Sequence, residues 1–218
     1  MSRFLTVLIS RGGALAVALL LLAGGPAAAR TISIVDIGDS LTAGLGLPAS
    51  EAFPARLEAR LRQDGLAVTV VNAGVSGDTT AGGLARLDWT LADKPDIVIV
   101  ALGGNDALLG IDPKTVRTNL EAMIGKIQAS GAKLILLGML APPNWGEAYQ
   151  RDFDAIYPDL ARAHNVPLYP FLLEGVVMNP ALNQPDGLHP NEKGVAIMVD
   201  RVAPLVAKVV AALPGAKS

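Results

Sequence analysis

The sequence predicts one α/β domain of three layers, an α/β/α sandwich with about five parallel strands between two layers of helices. Short apolar segments rich in β-branched residues alternate with longer segments whose apolar residues recur at helical spacing. The composition agrees, because 51% of the 218 residues are hydrophobic and 17% are charged, which excludes a disordered chain. The chain has no internal repeat and no linker-like change in composition, so we expect a single domain.

Five segments have the composition of strands. They are apolar along nearly their whole length, which is typical of parallel strands covered on both faces. In chain order they are Thr31–Ile37, Val68–Asn72, Ile97–Leu102, Lys133–Met139 and the weaker Pro167–Tyr169.

Helical periodicity occurs between and after these strands. The segment with the longest apolar stripe has Asp112 as a predicted N-cap, with a proline at the first helical position. The predicted helices are Phe53–Gln63, Pro113–Ser130 and Asn191–Leu213.

The first 29 residues have the pattern of an export signal. Arg3 and Arg11 provide a positively charged start, and an uninterrupted apolar run covers Ala14–Ala23. Three small residues, Ala27–Ala29, then precede Arg30. The run is short for a membrane span, which needs about 20 apolar residues. We therefore expect cleavage near Ala29–Arg30, one domain over residues 30–218, and a periplasmic or secreted protein without stable membrane insertion. An uncleaved N-terminal anchor is the alternative.

Residue counts exclude several kinds of chemistry. The chain has no cysteine, which excludes a cysteine nucleophile, a thiolate-bound zinc ion and an iron–sulfur cluster. Two histidines leave little room for a His-rich metal site, so we expect no metal. A net charge of −2 provides no electrostatic footprint for nucleic acid, so no nucleic-acid partner is expected. The expected partner is a small-molecule ester or thioester substrate, which the site residues considered below indicate.

Glycine-rich strings with small polar residues follow the first three predicted strands. Ligands of parallel sheets bind outside the carboxyl ends of the strands, so these strings are expected to meet at one site. They are Gly38-Asp39-Ser40-Leu41, the string from Asn72 to Asp78, and Gly103-Gly104-Asn105-Asp106.

Ser40 is a candidate nucleophile, because it lies on a tight turn after a strand. A serine hydroxyl needs a base, and His189 has Asp186 three residues before it to accept its Nδ1–H. The developing oxyanion needs donors, which the amides of Ser40 and Gly77 and the side chain of Asn105 could supply.

Each string also has a structural interpretation. Gly-Asp-Ser is a common turn, Asn105 could cap the segment after it, and Asp186 with His189 could cap the last helix. The second histidine, His164, is expected at a helix C-terminus or on the surface. The residues from Gly44 to Ala49 formally match a dinucleotide-binding pattern, but they start too far beyond the first strand and contain a proline.

In combination, these strings resemble the GDSL, or SGNH, hydrolase family, and most closely its exported thioesterase, arylesterase and lysophospholipase group. The resemblance covers the chain from about Thr31 to the final helix and includes GDSLTAG, VVNAGVSGDTTAGGLARL, LGGNDALLG, AIYPDLA and DGLHPN. It implies a flavodoxin-like fold and a serine esterase without cofactor. It also implies a catalytic triad of Ser40, Asp186 and His189. The implied oxyanion donors are Ser40, Gly77 and Asn105, with Gly74 as the alternative to Gly77.

The expected substrates are acyl and aryl esters, acyl thioesters and lysophospholipids, which the family group implies. Apolar residues on the loops after the strands are the expected pocket walls, and of these we select Leu45, Leu109, Trp145 and Tyr149 as substrate contacts. Further apolar residues in the same loops are Leu47, Leu108, Ile111, Met139, Leu140, Pro142 and Pro143. A carbohydrate O-acetylesterase on the same fold and a non-catalytic binding protein are the alternatives.

Overall fold

A five-stranded sheet forms the centre of the protein. The structure is a computed structural model that describes residues 30–216. All the strands are parallel and their order is β2-β1-β3-β4-β5. They are β1 Ile32–Gly38, β2 Val68–Gly74, β3 Ile97–Ala101, β4 Lys133–Leu137 and β5 Leu168–Tyr169. The predicted fold class is thus confirmed, and the predicted export signal lies outside the described residues.

The strand boundaries differ from the prediction mainly at the carboxyl ends. β1 and β2 extend to Gly38 and Gly74, which pair with each other, whereas β3 and β4 end before the apolar residues Leu102 and Met139. Hydrophobicity does not mark these ends, because backbone pairing determines where a strand stops and buried apolar residues continue into the loops.

Helices cover the sheet in two layers. α2 packs against α8, while α3 and α7 both pack against α5. The prediction missed α1, α3, α4 and α6, because glycines weaken the helical signal of α3 and α4 and because α1 and α6 are short. The helices are α1 Ser40–Ala43, α2 Phe53–Gln63, α3 Thr80–Thr90, α4 Gly104–Leu109, α5 Pro113–Ser130, α6 Glu147–Asp154, α7 Ile156–His164 and α8 Glu192–Ala211.

The strand order determines where a ligand can bind. From β1 the chain moves to one side to form β2 and then returns to the other side to form β3, so the loops after β1 and β3 diverge and leave a crevice between them. Ser40 follows β1 and Asn105 follows β3. None of the helices within residues 30–216 is long and apolar enough to cross a membrane.

Candidate active site

Ser40 is held at the first position of α1 by a sharp turn. Asp39 caps this helix, because its Oδ1 accepts a hydrogen bond from the Leu41 amide at 3.0 Å. A Cβ atom on Gly38 would collide with Thr42, so only glycine lets the chain turn this tightly. The turn therefore presents the Ser40 hydroxyl at the edge of the sheet.

The structure brings the three predicted triad residues together. Nε2 of His189 lies 2.9 Å from Oγ of Ser40, and Nδ1 of His189 lies 2.7 Å from Oδ2 of Asp186. Both distances are those of hydrogen bonds, so a proton can pass from the hydroxyl to the imidazole while the carboxylate keeps Nδ1–H in place.

The loop from Asp186 to His189 has its own hydrogen bonds. Oδ1 of Asp186 accepts hydrogen bonds from the amides of Leu188 at 2.9 Å and His189 at 3.0 Å. With the His189 ring, these donors lower the pKa of Asp186 to about 2, so its carboxylate is ionised at neutral pH. The helix-cap interpretation of this pair is wrong, since Asn191 caps α8 by accepting from the amides of Lys193 and Gly194.

The two expected main-chain donors are unoccupied. Within the described part of the chain, the amides of Ser40 and Gly77 donate no hydrogen bond. Gly77 is exposed and has a φ of +86°, a backbone conformation that favours glycine. The alternative, Gly74, packs against α1 and donates its amide to Asn72 at 2.9 Å, so Gly77 is the glycine whose amide is available.

Asn105, in the first turn of α4, is already engaged. Its Nδ2 donates to the carbonyl oxygen of Asp78 at 2.8 Å and to Oδ2 of Asp39 at 3.3 Å. Both hydrogens of this nitrogen therefore have acceptors, and the longer bond to Asp39 is the one that an oxyanion can replace most easily.

Asp39 is a nearly fully buried carboxyl group beside the nucleophile. Burial raises the pKa of Asp39 to about 6, although the Leu41 amide opposes the shift by donating to the ionised form. The carboxyl group that accepts from Asn105 therefore changes its charge near pH 6. The sequence offered no signal for this contact, because it joins two loops 66 residues apart.

A cavity of about 490 Å³ opens beside Ser40 and His189. This volume is within the usual range of small-molecule pockets. Most of its wall is apolar and comes from the loops after β3, β4 and β5 and the segment before α8, including Leu108, Met139, Leu140, Phe171, Leu173, Val177, Met178 and Leu188. An apolar wall accommodates an acyl chain better than a sugar, which needs hydrogen-bonding partners.

The four residues selected as substrate contacts do not line this cavity, although Leu108, Met139, Leu140, Pro142 and Pro143 do. Leu45, Leu109 and Trp145 are exposed, whereas Tyr149 is partly buried. Trp145 donates its indole N–H to the carbonyl of Ala107 at 2.8 Å, and Tyr149 donates its hydroxyl to that of Ile111 at 2.9 Å. Their contact with substrate stays a prediction.

Other residues singled out in the sequence lie away from the triad. His164 is the last residue of α7, as expected for a helix C-terminal position. Its Nε2 lies 3.4 Å from Oε1 of Glu121. Gly44 to Ala49 spans the end of α1 and the loop after it, rather than a strand-to-helix turn. No cluster of three potential metal ligands occurs among residues 30–216.

Ser40, His189 and Asp186, joined in this order at the carboxyl edge of a parallel sheet, have the geometry that defines the serine hydrolases. Comparison with known proteins extends this assignment. Residues 37–197 match the GDSL-like Lipase/Acylhydrolase family. The chain belongs to this family, and its class is that of the serine ester hydrolases.

Three relatives illustrate the similarity. Esterase TesA of Pseudomonas aeruginosa is 47% identical over 75% of this chain and 81% of that protein. Thioesterase 1/protease 1/lysophospholipase L1 of Escherichia coli is 41% identical over 85% of this chain and 87% of that protein. The crystal structure of esterase EstA from Pseudoalteromonas, inhibited by monoethylphosphonate, superimposes on this protein with a TM-score of 0.78. The two sequences are 32% identical, and the match covers 82% of this chain and 98% of that chain.

Proposed function

We propose that the protein hydrolyses carboxylic esters and thioesters with apolar acyl chains, and that Ser40 is its nucleophile. One observation carries this proposal: the hydrogen-bonded series Ser40–His189–Asp186 lies at a cavity whose wall is largely apolar. The amides of Ser40 and Gly77 and the side chain of Asn105 are the proposed oxyanion donors.

In the first half of the reaction, Oγ of Ser40 attacks the carbonyl carbon of the ester and its proton moves to Nε2 of His189. The carbonyl oxygen becomes an anion that the three donors stabilise. Asp186 keeps its hydrogen bond to Nδ1–H and stabilises the charged imidazole. When the tetrahedral intermediate collapses, the leaving oxygen or sulfur takes the proton from His189, and the acyl group stays on Ser40.

The second half repeats these steps with water. His189 removes a proton from a water molecule, whose oxygen attacks the acyl carbon, and the same donors hold the new oxyanion. Collapse of this intermediate returns the proton to Oγ of Ser40 and releases the carboxylic acid. This sequence needs no cofactor, because His189 accepts and returns every proton and Asp186 stabilises the charged imidazole.

Substrate class follows from the cavity wall and from the relatives. The apolar residues around Ser40 suit aliphatic acyl chains and aromatic esters. One relative carries the names thioesterase and lysophospholipase, which supports acyl thioesters and lysophospholipids as substrates here. We also propose that residues 1–29 direct the chain out of the cytoplasm and are removed near Ala29–Arg30, as their charge and apolar pattern indicates.

The test is an acyl-chain-length series run in parallel on p-nitrophenyl esters, acyl-coenzyme A and lysophospholipid. We expect hydrolysis of all three classes by the wild-type protein and a loss of at least about 10³-fold in kcat for Ser40→Ala. Ser50→Ala, which changes an exposed serine that does not line the cavity, is the control and should retain full activity. Retained hydrolysis by Ser40→Ala would contradict the mechanism, and activity on acetylated sugars alone would contradict the substrate class.

A further inference from the structure

The guanidinium group of Arg86 donates hydrogen bonds to three acceptors at the active-site edge of the sheet. Arg86 lies on α3, and its Nε donates to Oδ2 of Asp78 at 2.6 Å. Its Nη1 donates to the carbonyl oxygen of Ala73 at 2.7 Å, at the end of β2, and its Nη2 to that of Gly38 at 3.0 Å, at the end of β1. The side chain is 24% exposed, so these bonds are partly shielded from water.

The acceptors of Arg86 are next to the proposed oxyanion donors. Gly38 lies two residues before Ser40, and its carbonyl oxygen also accepts from the Val75 amide at 3.0 Å. Asp78 directly follows Gly77, and its own carbonyl oxygen accepts from Asn105. One guanidinium group thus connects the segment that carries Ser40 with the segment that carries Gly77. It also binds Asp78, the residue whose carbonyl oxygen accepts from Asn105.

Among the described residues, nothing packs against the side-chain position of Gly77. A Cβ atom at this position would meet nothing within 4 Å, and the residue is exposed. The Asp78 amide closes a turn around Gly77 by donating to the carbonyl oxygen of Val75 at 3.0 Å, and the position of this turn depends on the bonds from Val75 to Gly38 and from Arg86 to Asp78.

We propose that Arg86 is a positioning residue for the oxyanion site. It keeps the amide of Gly77 at a fixed distance from the amide of Ser40 before substrate arrives. The inference rests on the proposed function, which makes these two amides oxyanion donors. Donors accelerate a reaction when they are already aimed at the developing charge, so a mobile Gly77 amide would lose much of its effect. Arg86 does not itself line the cavity.

Arginine is required because the three acceptors lie in different directions. The planar guanidinium group presents its donors in a rigid fork, whereas the lysine ammonium group is a compact charge on a flexible stem. Arg86→Lys is therefore expected to keep the ion pair with Asp78 but not both carbonyl contacts. Arg86→Met keeps the apolar stem and removes all three bonds.

The test measures kcat and KM for p-nitrophenyl butyrate hydrolysis by Arg86→Lys, Arg86→Met and Arg86→Ala, with Arg117→Met as the control. Arg117 also pairs with an aspartate, Asp159, at 2.8 Å, but it lies on α5 and does not line the cavity. We expect kcat to fall about 10- to 10²-fold in Arg86→Met, with KM changed less than about twofold, since one displaced donor loses part of the usual 10²–10³-fold effect. Arg117→Met should retain the wild-type kcat.

Two further measurements separate positioning from a general effect on folding. Inhibition by an alkyl boronic acid, which forms an anionic tetrahedral adduct with serine, should weaken in parallel with kcat. Millimolar guanidinium chloride, far below denaturing concentrations, should restore part of the activity of Arg86→Ala but not of Asn105→Ala. If Arg86→Met does not fold, Asp78→Asn removes the charged partner and is expected to reduce kcat by a smaller factor.

The outcomes distinguish the inference from the proposed function. Wild-type kcat in the folded Arg86 variants, together with a large loss in Asn105→Ala, would overturn the role of Arg86 and leave the oxyanion site intact. A loss of kcat that only follows the unfolded fraction would likewise overturn it. Wild-type kcat in Asn105→Ala would instead contradict the proposed oxyanion site.

Discussion

Asp36 is a carboxyl group on β1, an inner strand of the sheet, and it has no exposed surface. Its Oδ1 has one long hydrogen bond, from the hydroxyl of Thr42 at 3.4 Å, and its Oδ2 has no partner among the described residues. Burial raises the pKa of Asp36 to about 8, so the group is protonated in the folded protein at neutral pH. The site described above does not use this carboxyl group.

This shift predicts a dependence of stability on pH. Between the ordinary pKa of 3.8 and the folded value of about 8, the folded state binds more protons at Asp36 than the unfolded state does. Its contribution to stability is therefore complete below pH 3.8 and is lost as pH rises through this window. The asparagine in Asp36→Asn does not titrate. The free energy of unfolding of this variant minus that of the wild type should therefore increase from pH 5 to 8, by at most about 1.4 kcal/mol per pH unit.

Urea unfolding of both proteins at several pH values measures this gain. Asp93→Asn, which changes an exposed aspartate, is the control and should leave the pH dependence as it is in the wild type. A constant difference between Asp36→Asn and the wild type across this pH range would contradict the protonated state of Asp36.

Asn105 allows a second prediction at the scale of single residues. Removal of one oxyanion donor usually costs about 10²–10³-fold in kcat, and we expect Asn105→Ala to lose this factor on p-nitrophenyl esters. The same substitution removes the contacts to Asp78 and Asp39, so circular dichroism must show that the fold is retained. An unchanged kcat with an increased KM would instead assign Asn105 to substrate binding.

Asp186→Asn tests the triad without a change in volume. The amide cannot stabilise a charged imidazole and favours the wrong tautomer of His189, so kcat is expected to fall by about 10⁴-fold. The melting temperature should change little, because α8 has its own cap at Asn191. A large fall in melting temperature with retained kcat would assign Asp186 a structural role.

At the scale of the elements, α5 shows why its limits could be predicted. Asp112 accepts from the Lys114 amide at 2.9 Å, Pro113 is the first helical residue, and Gly131 ends the helix with a φ of +87°. Each of these signals is local, because a cap needs only residues within one turn. The buried stripe Val116, Leu120, Met123, Ile124 and Ile127 provides the helical period.

Loss of the Asp112 cap should therefore destabilise the protein without affecting catalysis. We expect Asp112→Ala to lower the free energy of unfolding by about 1 kcal/mol, whereas Asp112→Ser should retain most of it. Both variants should keep the wild-type kcat, because Asp112 does not line the cavity. Urea unfolding and ester hydrolysis measure the two effects, and equal stabilities for the alanine and serine variants would contradict the cap.

α3 and α4 could not be predicted in the same way. α4 begins at Gly104, and α3 contains two glycines, Gly82 and Gly83, which weaken helical propensity. In the structure these glycines have packing roles, since a Cβ on Gly83 would press on Leu102 and one on Gly82 on Asp78. In α3, therefore, close packing of Gly83 against Leu102 and a cap at Thr79 accompany a sequence of low helical propensity.

At the scale of the whole molecule, the described chain closes on itself at its two ends. Arg30 forms an ion pair with Asp96 at 2.7 Å, and its amide donates to the carbonyl oxygen of Gly215 at 3.3 Å. We therefore expect a chain that starts at Arg30 to fold and to hydrolyse p-nitrophenyl esters with the same kcat as the full-length chain.

Expression of both chains in a Gram-negative host tests this prediction together with the proposed export. Full-length protein should be recovered from the periplasm or medium with Arg30 as its first residue, whereas the chain from Arg30 should stay in the cytoplasm. Full-length protein retained in the membrane fraction with its first 29 residues would support the alternative of an N-terminal anchor.

The alternation of apolar strands and helices along the chain was enough to predict a covered parallel sheet. The short strings around Ser40, Asp186 and His189 were enough to predict the family and the candidate triad. The cavity walls, the engagement of the Gly74 amide by Asn72, and the contacts of Arg86 and Asp39 with the segments that carry the proposed oxyanion donors could be seen only in the folded chain. The physical reason is that these contacts join residues on different loops, and their geometry depends on how the strand ends pack rather than on any local pattern.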